Sequence, residues 1–124
     1  MFKIFINPSK FNKFADLIIK PLFFFSFIAL MIGLFYSLYL SPDDYKQGYA
    51  VRIMYIHVPS AWLCMIIFLI MTIYSIISLA FKFPFGFIIN AAIAPIGATF
   101  TFICLTTGSI WGKPMWGTWW VWDA

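Results

Sequence analysis

Residues 21–40 read PLFFFSFIALMIGLFYSLYL, twenty residues without a charge. As a helix rising 1.5 Å per residue, this run covers about 30 Å, the hydrocarbon thickness of a bilayer. Two further stretches share the property, 61–81 and 85–110. Lipid offers no partner to a bare peptide group, so apolar runs of this length fold as helices. The third is longer than a bilayer core needs, so it must tilt, kink or extend into the interface. Pro95 and Gly97 form the expected kink site. No strand alternation, internal repeat or low-complexity linker interrupts the pattern. The expected fold is all-α, a polytopic membrane protein with three transmembrane helices in a single membrane domain, 1–124.

Composition agrees. The 124 residues are 64% hydrophobic and 10% charged, with mean hydropathy +0.96; a soluble domain carries about 25% charged residues. The net charge of +4 is not a nucleic-acid signal, because the basic residues form no exposed stripe. Four of the eight, Lys3, Lys10, Lys13 and Lys20, precede the first span. Cys64 and Cys104 each stand alone in apolar runs, so disulfide, zinc and haem-attachment motifs are unsupported. Both read as small buried hydrophobes. No carboxylate pair, activated Ser or Cys, or phosphate loop points to an enzyme.

The basic N-terminus places that end in the cytoplasm by the positive-inside rule. The first span is too long for a signal peptide and lacks a small-x-small cleavage site, so it reads as a retained helix. The loop 41–60 then lies outside, with Asp43 and Asp44 balancing Lys46 and Arg52. Lys82, in the short second turn, lies inside. The final segment, 111–124, falls outside.

That topology brings two features to one face. His57 is the only histidine, in YIHVPSAW over 55–62. Pro59 suits a first helical turn, which puts His57 just outside the second helix. The segment 111–124 reads WGKPMWGTWWVWDA and holds five of the six tryptophans. Imidazole is a good axial ligand for haem iron, and tryptophan plates suit flat ligands as well as membrane interfaces. Arg52 and Lys113 are the outer-face cations available to carboxylates. A lone interfacial histidine is more often a polar anchor than a ligand, and for Trp62 the aromatic belt suffices. Five tryptophans in twelve residues exceed what a belt needs. Ala91, Ala94 and Ala98 form a small-residue stripe explained by helix packing. Asn90 reads as a hydrogen-bonding packing residue.

The 111–124 segment closely resembles the tryptophan-rich WWD signature of proteins that handle haem in cytochrome c maturation. SPDDY over 41–45, with VRIMYIHVPSAW over 51–62, resembles the CcmC-like haem exporter and delivery family. The two matches lie in order with one hairpin of spans between them, and the likeness covers most of the chain from Ser41. The cytochrome c synthetase-type proteins share the tryptophan signature, but the 55–62 match favours the CcmC-like family.

The resemblance implies a role that composition does not show. Such proteins present haem b on the outer face of the membrane. They pass it to a CcmE-like haem chaperone, working with CcmA/CcmB-like ABC transporter subunits. Two external histidines hold the haem against the tryptophan segment. His57 matches the first and is the expected metal ligand; Trp111, Trp116, Trp119, Trp120, Trp122 and Asp123 match the signature. The family has about six spans and a later second histidine, so this chain corresponds to an N-terminal half. A separate chain supplying the other half is an expected partner besides the bilayer. The expected location is the bacterial inner membrane, with the mitochondrial inner membrane as alternative. An inactive fragment, and a b-haem or quinone-anchoring membrane subunit, are the competing readings; the latter usually carries histidines within its spans.

Overall fold

The computed structural model describes residues 8–121. They form three long helices and no strand. All three are long and apolar enough to cross a membrane, over Ser9–Leu40, Val51–Phe81 and Phe85–Trp116. The chain divides into two compact units, Met1–Ser41 and Pro42–Ala124.

The first unit is helix α1, Pro8–Phe35, which widens into a π-helical turn over Tyr36–Leu40. Ser41 ends it in an extended conformation, φ −63° and ψ 129°. Pro42 is the cause, since its ring disfavours helix for the residue before it.

The second unit is a turn over 42–50 followed by the hairpin α2, Val51–Phe81, and α3, Phe85–Trp116. Helix α2 begins ten residues before the apolar stretch that starts at 61. Its lead-in is a run of i→i+3 bonds, from the N–H groups of Ala50, Val51, Arg52 and Ile53 to the carbonyls of Gln47, Gly48, Tyr49 and Ala50. Pro59 lies inside α2 rather than at its start. His57 therefore sits on the helix, correcting the expectation that it lies just outside. Proline removes one backbone donor mid-helix, yet α2 continues through it as one helix. Helix α3 likewise runs on through Pro95 and Pro114 and ends six residues past 110.

Between α2 and α3 the chain turns on Lys82, which adopts the left-handed conformation at φ 52°. The Lys82 and Phe83 N–H groups both reach the Ser78 carbonyl and close the end of α2.

Glycine decides how the hairpin closes. On α3, Gly86, Gly97 and Gly108 recur every eleven residues, three helical turns, and so share one face. A Cβ at Gly86 would meet Ser78 Oγ and lie 2.8 Å from the Tyr74 carbonyl oxygen; at Gly97 it would lie 2.9 Å from Ile67 Cγ2, and at Gly108 3.0 Å from His57 Cε1. Ala91 and Ala98 are exposed, so the glycines rather than the alanine stripe make this seam. Polar pairs fill the gaps. Asn90 Nδ2 donates to the Met71 carbonyl at 3.1 Å and to Ser75 Oγ at 2.8 Å. Cys64 Sγ and Thr101 Oγ1 are 3.0 Å apart. Close backbones and interhelical hydrogen bonds are how helices associate in lipid, where apolar contact alone confers no preference.

Among the described residues no apolar side chain is fully buried. Neither cysteine is the buried hydrophobe the sequence implies; both are half-buried, and both reach polar groups on the facing helix.

Candidate functional site

The site is built at the end of the hairpin where α2 begins and α3 finishes. His57 is in the second turn of α2, half-buried against α3. Its Nδ1 lies 3.0 Å from the Cys104 carbonyl oxygen and 3.1 Å from Thr107 Oγ1. A carbonyl only accepts, so Nδ1 carries the proton and donates it. The lone pair is thereby assigned to Nε2, the state a neutral imidazole needs to bind a metal. The Thr107 hydroxyl donates back to Ile103 O at 2.6 Å, which leaves its own lone pair for the imidazole. Gly108 leaves room for the ring edge.

The tryptophan segment follows from the end of α3. Gly117 caps the helix in the left-handed conformation, φ 79°, with its N–H on the Lys113 carbonyl at 3.0 Å. A side chain with a Cβ resists that conformation, so glycine is the residue that turns the chain here. The turn therefore separates Trp111 and Trp116 on the helix from Trp119 and Trp120 beyond it. Trp111 and Trp116 meet edge-to-face, centroids 4.9 Å apart at 83°, an arrangement worth about 0.5–1.5 kcal/mol beyond area burial. Thr118 Oγ1 donates to the Trp120 carbonyl at 3.1 Å and tightens the returning strand of chain.

A cavity of about 530 Å³ opens between these parts, lined by His57, Gly108, Trp111, Trp116, Trp119, Trp120 and Val121. Cofactor pockets fall in a range of about 300–1,000 Å³ and are mostly apolar with a few placed polar groups. The lining meets that description: four indoles and one imidazole. The cavity is open, and Trp116 remains 67% exposed.

The structure thus brings together His57, Trp111, Trp116, Trp119 and Trp120. Trp122 and Asp123 lie outside the described residues. Trp62 is 61% exposed on α2 and does not line the cavity. Of the two cations expected to meet carboxylates, Arg52 pairs with Asp43 at 3.5 Å and lies over the Tyr49 ring. Lys113 donates to the Gly117 carbonyl at 3.0 Å and sits 5.8 Å from the Trp119 ring centre, beside the cavity wall.

Sequence reasoning missed Thr107, Gly108, Val121 and Gln47. Gly108 had a legible signal in its spacing from Gly86 and Gly97. Gln47, whose Oε1 accepts from Trp111 Nε1 at 3.0 Å, had none.

Comparison with known proteins agrees with the motifs. The model of the CcmC family, described as heme exporter protein C, matches residues 1–124. Heme exporter protein C of Bradyrhizobium diazoefficiens is 48% identical over 118 residues, 95% of this chain and 44% of that protein. The Escherichia coli K12 protein of the same description is 50% identical over 99 residues, covering 80% and 40% respectively. A putative cytochrome c biosynthesis ccmC-like mitochondrial protein of Marchantia polymorpha is 40% identical over 120 residues, covering 86% and 53%. The chain spans about half the length of the curated relatives it matches. With a family model matched over its whole length, this chain belongs to the CcmC, heme exporter protein C, family.

Proposed function

We propose that the chain binds haem b at the outer face of a membrane and takes part in its delivery for cytochrome c biogenesis. The observation that carries this reading is the juxtaposition of His57, its Nδ1 proton committed to α3, with a cavity walled by four tryptophans. When bound, haem would supply an iron that takes up an imidazole nitrogen. His57 would hold it through Nε2. Trp111, Trp116, Trp119 and Trp120 cover an apolar plate and exclude water. Lys113, at the wall, is placed to meet a haem carboxylate. Trp122 and Asp123 complete the segment in this reading. The role is binding and transfer, without bond-making by the chain.

The family supports the wider assignment. A CcmE-like haem chaperone receives the haem, and CcmA/CcmB-like ABC transporter subunits act with the chain. The second histidine is supplied from the part of the family protein that this chain does not span. A b-haem or quinone-anchoring subunit fits less well, because the cavity lies at the hairpin's end rather than between mid-span helix faces. The location proposed is a bacterial inner membrane.

Two experiments test this. In a strain lacking the family protein, this chain co-expressed with the remaining C-terminal portion of a relative restores c-type cytochromes, while the chain alone does not. Full rescue by the chain alone would overturn the half-site reading. Second, reporter fusions after Tyr45 and after Ala124 both report the outer compartment, as the basic N-terminus requires. A cytoplasmic signal from either removes the outer-face assignment.

A further inference from the structure

The turn over 42–50 has an unusual amount of internal bonding for a connecting loop. One Asp44 carboxylate oxygen accepts the N–H groups of Lys46 and Gln47, each at 2.8 Å. Asp44 and Gly48 also exchange both backbone bonds, at 3.3 and 2.8 Å. Gly48 sits at φ +55° with nothing within 4 Å of where a Cβ would stand, so backbone conformation, not space, calls for glycine. The Arg52–Asp43 pair ties the turn to the first residues of α2. An aspartate closing its own turn in this way fixes the backbone of the next three residues.

Gln47 is one of those three. Its side chain leaves a fixed backbone and reaches the indole N–H of Trp111, 64 residues away in the chain, at 3.0 Å. Trp111 has a single donor, and this bond sets the rotation of its ring plane. Trp111 in turn meets Trp116 edge-on, and a Cβ at Gly112 would stand 3.4 Å from the Trp116 ring. Both rings line the cavity. The chain of contact therefore runs from Asp44 through Gln47 and Trp111 to Trp116.

We propose that Gln47, held by the Asp44 turn, is a positioning residue that sets the tryptophan wall of the cavity by orienting Trp111. The proposal rests on the haem reading for its consequence, but the contact itself stands apart from it. Haem is held by planes that must face it. A wall whose first ring is free to rotate holds a flat ligand less tightly, because the ring must be ordered on binding.

The test uses the full chain in lipid nanodiscs with 15N-labelled tryptophan, the Trp111 indole signal being identified by its loss in Trp111→Phe. Gln47→Leu shifts that signal and speeds its hydrogen exchange; Gln47→Glu, which keeps an acceptor oxygen, leaves the exchange slow. Haem titration gives about fivefold weaker binding in Gln47→Leu, the scale of one hydrogen bond, and near-normal binding in Gln47→Glu. In the Trp111→Phe background, which has no indole N–H, Gln47→Leu has no further effect on haem. An indole signal indifferent to Gln47→Leu overturns the proposal, as does an equal loss of haem binding in the Trp111→Phe background. If the wild-type chain takes no haem while the indole responds, the haem reading fails and the positioning contact stands.

Discussion

His57→Ala is expected to strip haem from the purified chain. The chain has one histidine, so no second imidazole within it replaces the lost nitrogen. The tryptophan wall remains and retains only apolar affinity, so haem content, measured by pyridine haemochrome assay, falls at least tenfold; any residue shows a shifted Soret band. Added imidazole, entering the space the ring vacates, restores the ligated spectrum. Membrane insertion is unchanged, since residue 57 contributes little to the apolar length of α2. A graded variant separates ligation from orientation. Thr107→Val keeps the ligand nitrogen and the Cys104 carbonyl but removes the hydroxyl acceptor for Nδ1–H. It shifts the Soret band and weakens binding only about threefold, less than one full hydrogen bond. An unchanged haem content and spectrum in His57→Ala would return this histidine to the role of an interfacial anchor.

Gly86→Ala is expected to open the hairpin. The added methyl meets Ser78 Oγ and lies 2.8 Å from the Tyr74 carbonyl oxygen. A hydroxyl can rotate away, but a helix carbonyl cannot, so α2 and α3 must separate at their turn. Overpacking of this kind costs about 1–3 kcal/mol. In a seam with no fully buried apolar side chain to offset it, that is a large share of the association energy. The variant should accumulate poorly and unfold earlier in a detergent thermal scan. Gly33→Ala is the matched control. Nothing lies within 4 Å of its Cβ position in α1, and the same scan should show no loss. Equal behaviour of the two variants would mean that the glycine seam does not hold the hairpin.

The three helices were readable in the sequence for a simple reason. Lipid leaves a backbone no partner but itself, so uninterrupted apolar length dictates helix without any knowledge of packing. The tryptophans of 111–120 and the single histidine suggested a flat-ligand site by residue type, a reading that rests on their resemblance to the family's signature. What the sequence did not determine are contacts between residues far apart in the chain. Pro59 signals a helix start locally, yet α2 begins at Val51, because the 42–50 turn launches it and His57 fastens it to α3 across 47 residues. The eleven-residue spacing of Gly86, Gly97 and Gly108 was legible, but their choice over Ala91 and Ala98 as the packing face depends on the rotation of α3 against its neighbour. The proton on His57 Nδ1 is assigned only by the carbonyl that α3 presents to it, and Trp111 is oriented only by a glutamine 64 residues earlier. Residue type is local, whereas tautomer, ring plane and helix face are set by whichever group tertiary packing places alongside.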